Sequence, residues 1–150
     1  SISCTEDEIF FSGKEPLHSI DIIRTMVYPG FPTDCQAFIM SAACIAQGTT
    51  VFVENIFENR YRHAEELRRM GANIRTEGKV AVVEGVKKLY GAKVCAPDLR
   101  GGAGLVAAAL CADGKTEISG VNHIDRGYED IENVLADAGA DIKRIDTYGL

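Results

Sequence analysis

Gln47-Gly48-Thr49-Thr50-Val51 is echoed by Asp113-Gly114-Lys115-Thr116-Glu117 sixty-six positions later, and Met70-Gly71-Ala72-Asn73-Ile74 by Ala138-Gly139-Ala140-Asp141-Ile142 at an offset of sixty-eight. An echo of that length says that the chain is built as two copies of one supersecondary unit, each needing its neighbour to cover its apolar face. Each copy opens with two strand-like runs, Glu8 to Ser12 and Ser19 to Arg24 in the first, Lys79 to Glu84 and Ala92 to Ala96 in the second. Gly- or Pro-bearing turns divide the runs. A helix, a strand, a second helix and a last strand follow in each. The units therefore run over residues 6–78 and 79–146.

The two helices of a copy differ in character. Ala37 to Ala46 and Gly101 to Ala112 contain no charged residue and are rich in Ala, Gly, Ser and Cys, which predicts inner helices buried on every side. Tyr61 to Met70 and Tyr128 to Ala138 mix spaced apolar residues with charges such as Glu65, Glu66, Arg68, Glu129 and Glu132, which predicts outer helices facing solvent. Gly71 and Gly139 supply helix stops, and Thr33 and Asp98 the N-caps. The fold class is α/β, a layered domain of repeated units with buried inner helices.

Charge and cysteine usage narrow the function further. Sixteen Lys and Arg against 22 Asp and Glu leave a net charge of −6, which argues against holding nucleic acid or an anionic membrane by charge alone. No apolar run is long enough to cross a bilayer and no signal peptide opens the chain, so a cytoplasmic protein is expected. Five cysteines form no CxxC pair and leave an odd one over, so neither a zinc site nor a disulfide framework is signalled; buried thiols in a reducing compartment are expected. Cys35 and Cys44, nine residues apart on one expected helix, fall on opposite faces and cannot bridge each other. No metal and no cofactor is expected.

Four segments carry chemistry. Pro29-Gly30-Phe31-Pro32-Thr33-Asp34 is a rigid turn that delivers a carboxylate to the first turn of an inner helix. Asp34 is either a helix-start residue, satisfied by free backbone N–H groups, or a general base or grip for a substrate hydroxyl. Asp98-Leu99-Arg100 takes the corresponding place in the second copy, with Arg100 where Asp34 stands. A cation beside a helix N-terminus needs an anion between them, which a bound anionic ligand, Asp98 or another acid would supply. Gly101, Gly102 and Gly104 signify close packing or nothing more. His123-Ile124-Asp125-Arg126-Gly127-Tyr128-Glu129 and, in the first copy, Phe57-Glu58-Asn59-Arg60-Tyr61-Arg62-His63 are read as matching loops, each with an Arg after Asn or Asp. Capping by Asp125 with Arg126 exposed is the alternative to a functional role. Unaided, these residues suggest a binder of a small anionic ligand with one carboxylate nearby.

In order and spacing, Pro29 to Asp34 with Gln36, Phe57-Glu58-Asn59-Arg60 with His63, Asp98-Leu99-Arg100 with Leu105-Val106, and His123 to Glu129 resemble the UDP-N-acetylglucosamine 1-carboxyvinyltransferase family. The resemblance covers nearly all of Ser1 to Leu150. It implies a two-domain protein of six βαβαββ-type units with the active site between the domains, this chain resembling two of the three units of the C-terminal domain. The missing material would be an N-terminal domain, since Asp146 to Leu150 resembles the family's usual C-terminus.

The implied reaction transfers the enolpyruvyl group of phosphoenolpyruvate to the 3-hydroxyl of UDP-N-acetylglucosamine, by addition and elimination of phosphate, in peptidoglycan synthesis. The resemblance makes Asp34 the group that contacts the 3-hydroxyl and transfers its proton, makes Arg100 and Arg126 the cations that hold phosphoenolpyruvate, and puts Ile56 and Phe57 on the UDP-sugar side of the cleft. Two departures stand out. Gly101-Gly102-Ala103-Gly104 replaces the Ala and Ser often found after Asp-Leu-Arg. The family's mobile-loop cysteine and active-site lysine have no match here, and none of the five cysteines is assigned that role. The chain alone is therefore expected to be inactive, with uncovered apolar surface that favours self-association. The alternatives are a noncatalytic UDP-sugar-binding or interaction module of the same fold and 5-enolpyruvylshikimate-3-phosphate synthase.

Overall fold

The computed structural model describes residues 2–13 and 16–145; Asp146 to Leu150, the expected C-terminal match, lies outside them. Strands β1 (Ile2–Cys4) and β2 (Ile9–Phe11) pair as an antiparallel hairpin. β3 (Ile22–Arg24) leads through a 3-10 turn (Thr33–Cys35) into helix α1 (Gln36–Ala43), followed by β4 (Thr49–Val53), helix α2 (Arg62–Arg69), β5 (Asn73–Glu77) and β6 (Val80–Glu84). The sheet order is β3-β4-β6-β5. β3 and β4 run parallel, as strands joined by a helical crossover do, and β5 and β6 form an antiparallel hairpin turned at Gly78, whose φ is +53°.

The second copy continues with β7 (Leu89–Tyr90), β8 (Lys93–Cys95), helix α3 (Leu99–Ala109), β9 (Ala112–Asp113), β10 (Glu117–Ser119), and helices α4 (Asn122–Asp125) and α5 (Ile131–Asp137). β7 pairs with β9 and β8 with β10, both parallel. The repeat is visible in single hydrogen bonds. Ser19 N–H donates to Gln47 O and Gly91 N–H to Asp113 O; Thr25 N–H donates to Val53 O and Ala96 N–H to Ser119 O. Thr25 and Ala96 are offset by 71 residues but Asp34 and Arg100 by 66, so the first copy holds a five-residue insertion (71 − 66) between strand and inner helix.

The inner helices account for the run of small side chains. No residue from Gln36 to Ala46 is exposed, and Gly101 to Val106 are all buried. A Cβ on Gly104 would lie 3.0 Å from Ala37 Cβ, and one on Gly102 would lie 2.7 Å from Ile124 Cγ1. Three glycines in one helix cost about 0.5–1 kcal/mol each in backbone entropy. Close approach of α1 and α4 offsets that cost, so the packing reading of the glycines holds. Ser41 Oγ, 2.8 Å from Gly104 O and 3.0 Å from Ala37 O, ties the two inner helices together. Met40, Phe52, Leu67, Met70, Leu89 and Leu105 fill the core between these helices, α2 and the sheet. α2 is amphipathic as expected, burying His63, Ala64 and Leu67, while α5 buries none of its residues.

Several expectations need correction. Lys79 to Glu84 does not open a second sheet: β6 pairs with both β4 and β5, so the break expected between residues 78 and 79 would cut a hairpin, although the period itself is unaffected. The last strand expected after Gly139 does not form at Ala140 to Ile145. Its counterpart β5 pairs only with β6, and the described residues offer no such partner. Arg144 turns back instead to Asp125 and Glu132, at 2.7 Å from each. Thr33 is not an N-cap, since Pro32 holds that place ahead of the 3-10 turn, whereas the Asp98 carboxylate does cap α3 by accepting from Gly101 N–H at 2.8 Å. Part of His123 to Glu129 is the short helix α4 rather than loop. Only Cys44 is buried; Cys4 on the edge hairpin, Cys35 in the 3-10 turn, Cys95 at the end of β8 and Cys111 just past α3 are exposed free thiols.

Candidate active site

The five-residue insertion builds one side of the site. Met26 N–H donates to Phe31 O at 3.0 Å and Gly30 N–H to Val27 O at 2.8 Å, folding the insertion into a tight loop. A Cβ at Gly30 would fall 2.4 Å from Met26 Cβ, so the turn requires glycine there. Pro32, extended at φ −73°, then sets the 3-10 turn that presents Asp34 with its side chain 55% exposed.

Both Asp34 carboxylate oxygens are taken by arginines. Arg60 Nη2 donates to Oδ1 at 3.1 Å and Arg100 Nη2 to Oδ2 at 2.9 Å. Arg100 Nη1 also donates to Tyr128 OH at 2.8 Å, and its guanidinium lies 5.7 Å from the centre of that ring. Arg60 stacks likewise on Phe57 at 5.3 Å. The hydrogen bond to Asp34, and then that to Tyr128, hold Arg100 above its ordinary pKa. The anion that Arg100 needs at the start of α3 is thus supplied by the first copy, not by Asp98.

The Arg126 side chain has no hydrogen bond or ion pair among the described residues, and the residue is exposed. The repeat explains why. Arg60 and Arg126 are offset by 66 residues, the same offset as Asp34 and Arg100. In the first copy the arginine faces an aspartate. In the second, the position equivalent to that aspartate is itself an arginine. Asp34 is one carboxylate facing two arginines, and Arg126 lies two residues before Tyr128, which Arg100 contacts; that supply of cations suits a small, multiply charged anion. Gly127 seats this segment on the start of α3, where a Cβ would lie 3.0 Å from Leu99 Cδ2. Asp125, weighed as a cap, is instead bound by Arg144 at 2.7 and 3.0 Å.

Ile56 and Phe57 stand across from the insertion. With Met26, Val27, Pro32 and Asp34 they line an open groove of about 320 Å3. Behind it sits Glu54, which the sequence reading passed over and which is 1% exposed. Its Oε1 accepts from Thr25 Oγ1 at 2.8 Å, Ile56 N–H at 2.8 Å and Phe57 N–H at 3.0 Å; its Oε2 accepts from Thr33 Oγ1 at 2.9 Å. Burial pushes its pKa up, but the bonds from Phe57, Thr25, Ile56 and Thr33 outweigh it and leave the carboxyl below the usual range. The alternation of β4, with Thr50 and Phe52 buried, carries the signal that residue 54 also points inward. Arg60, marked in the sequence only as the arginine after Asn59, and Tyr128 carry no expected role there, although both lie in the segments that carry chemistry.

No group of three His, Cys, Asp or Glu is arranged to hold a metal among the described residues, and none of their helices is long and apolar enough to cross a membrane.

Residues 1–135 match the family described as EPSP synthase (3-phosphoshikimate 1-carboxyvinyltransferase). The chain is 56% identical over 127 residues to UDP-N-acetylglucosamine 1-carboxyvinyltransferase 2 of Caldanaerobacter subterraneus subsp. tengcongensis, covering 85% of this chain and 30% of that protein. It is 55% identical over 133 residues to UDP-N-acetylglucosamine 1-carboxyvinyltransferase of Geotalea daltonii, covering 89% of this chain and 32% of that one. The chain thus spans under one third of the length of these two relatives. Among solved structures, the enolpyruvyl transferase NikO from Streptomyces tendae superposes with a TM-score of 0.81 at 28% identity, over 95% of this chain and 33% of that one.

Proposed function

The chain belongs to the EPSP synthase (3-phosphoshikimate 1-carboxyvinyltransferase) family, and on that premise we propose that it forms one wall of an enolpyruvyl transferase site whose acceptor is UDP-N-acetylglucosamine. The choice of acceptor is supported by relatives named for that sugar nucleotide at 55–56% identity, against 28% for NikO. In this reading the chain is about two of the three units of a C-terminal domain, and an N-terminal domain closes the cleft. The reaction is the committed step of peptidoglycan synthesis, in the cytoplasm, and so bears on cell shape and division.

The observation that carries the reading is the unequal pairing of the two copies: an exposed carboxylate between Arg60 and Arg100, and an Arg126 whose side chain is unpartnered among the described residues, two positions before the Tyr128 that Arg100 contacts. Arg100 and Arg126 hold phosphoenolpyruvate by its charged oxygens. The Asp34–Arg100 contact is half-exposed and worth at most about 1 kcal/mol, so a more highly charged ligand competes for Arg100 readily. Asp34, freed on that side, accepts the proton of the sugar 3-hydroxyl. The hydroxyl oxygen bonds to C2 of phosphoenolpyruvate while C3 gains a proton. Loss of a C3 proton and breakage of the bond from C2 to the phosphate oxygen, which keeps the electron pair, then release phosphate and restore the vinyl group on the sugar oxygen. Neutralising charge in a closed cleft is what lets the anionic intermediate persist. Ile56 and Phe57 supply an apolar wall for the sugar nucleotide.

Phosphate release from phosphoenolpyruvate by the complete protein tests this, with UDP-N-acetylglucosamine or 3-phosphoshikimate as acceptor. Turnover with the sugar nucleotide alone is expected. Turnover with 3-phosphoshikimate alone would reassign the acceptor, and binding of the sugar nucleotide without turnover would make the site noncatalytic.

A further inference from the structure

We propose that Glu54 is a positioning residue that sets the distance between the carboxylate-bearing turn and the groove wall, fixing Asp34 against the bound acceptor. Which acceptor is bound rests on the functional reading above. Three segments far apart in sequence meet at this one buried carboxylate: the end of β3 through Thr25, the turn before Asp34 through Thr33, and the backbone of Ile56 and Phe57. Thr25 is a two-way tie, since Asn55 N–H donates to Thr25 Oγ1 at 2.9 Å and Asn55 Nδ2 to Thr25 O at 3.2 Å. No Lys, Arg or His forms an ion pair with Glu54 among the described residues, so its charge is met by hydrogen-bond donors alone.

The arrangement has the features of a positioning device rather than general core packing. All four donors come from residues that line the groove or adjoin Asp34 or the groove wall. The two oxygens divide the work. Oε1 gathers β3 and the groove wall, and Oε2 alone reaches Thr33, one residue from Asp34. Buried, fully satisfied networks hold their members in one geometry, whereas Asp34 itself is half-exposed and held only by arginines that substrate would claim. When those arginines turn to the ligand, Thr33 and Glu54 remain to keep the turn in place.

The division of oxygens gives separable variants. In the complete protein, Thr33→Val cuts only the tie to the Asp34 turn. Its kcat per folded molecule is expected to fall about tenfold with the KM for UDP-N-acetylglucosamine unchanged, because sub-ångström misplacement of a reacting group is felt in rate. Glu54→Ala frees both sides and should lower kcat and raise KM. Glu54→Gln keeps an oxygen for the three Oε1 donors while the Thr33 hydroxyl rotates to accept from the new amide, so it should return to within about threefold of wild type. Wild-type kcat in Thr33→Val, or a Glu54→Gln variant that folds yet is as impaired as Glu54→Ala, would overturn the proposal; the second result would point to the charge itself. Should Glu54→Ala not fold, the other two variants decide. Absence of transfer to UDP-N-acetylglucosamine in the wild type would refute the functional reading instead. Hydrogen exchange then tests the positioning role directly: the Ile56 and Phe57 amides should be protected in wild type and Glu54→Gln. Equal exchange in Glu54→Ala would overturn that role.

Discussion

Replacing His63 by Leu should remove much of the acid sensitivity of the fold without weakening it at neutral pH. His63 lies on α2 against the start of α3, 1% exposed, and neither ring nitrogen has a partner among the described residues. Burial pushes its pKa from 6.5 down to about 4; the Asp98 charge raises it, the Arg60 charge lowers it, and the Arg60 backbone, too poorly placed for a proper hydrogen bond to the ring, raises it least. The folded state therefore refuses a proton that the unfolded chain accepts near pH 6.5. Its contribution is complete above that value and drains as pH falls toward 4. Between pH 7 and pH 5 the loss comes to about 2 kcal/mol by proton linkage. Glu54, also lowered on folding, begins to count only below its unfolded value of 4.5, so pH 5 separates the two. Leu is close to His in volume and gives up no hydrogen bond, so at pH 7 the variant should match or exceed wild type. Urea unfolding followed by far-ultraviolet circular dichroism at both pH values measures this. Equal pH dependence in the two proteins, or a clear loss at pH 7, would refute the reasoning by showing that the imidazole is charged or bonded in the folded state.

Arg126→Ala in the complete protein should weaken phosphoenolpyruvate binding about ten- to a hundredfold, the loss of one charged hydrogen-bonding group, with UDP-sugar affinity nearly unchanged by calorimetry. Gly85→Ala should cost about 3 kcal/mol in urea unfolding, because a Cβ there would fall 1.6 Å from the backbone oxygen of Ala46, which cannot yield as a side chain would. The 150-residue chain by itself should release phosphate at less than about a hundredth of the rate of the complete protein, a barrier higher by about 2.7 kcal/mol, since half of a cleft cannot exclude water.

The repeat was legible because packing demands similar residues at similar places: the charge-free stretches recur, as do Gly71 and Gly139, and the Asp98 cap follows from a local rule that a sequence displays. Asp34 and Arg100 could be matched by offset alone, and the structure brings them to 2.9 Å. What stayed hidden depends on pairing. That β6 closes the first sheet follows from its register against β4 and β5, which alternation does not specify. Thr33 reads as a cap because it precedes a helix, but the insertion turns its hydroxyl toward Glu54, a residue twenty-one positions away. Arg60 stands in a recognised segment, yet only the folded chain shows that it, with Arg100, brackets Asp34. The expected strand after Gly139 has suitable residues but no partner among the described residues, and a strand needs a partner to form.

The central claim is that Asp34 moves a proton at a site where arginines hold the anion, and Asp34→Asn in the complete protein tests it most directly. Asn preserves the shape of the side chain but not its basicity. Steady-state phosphate release should fall about 10²- to 10⁴-fold in kcat, the usual worth of a positioned acid or base, while UDP-N-acetylglucosamine affinity stays within about threefold of wild type. A variant that loses sugar-nucleotide affinity as much as rate, or that turns over at the wild-type rate, would contradict the account.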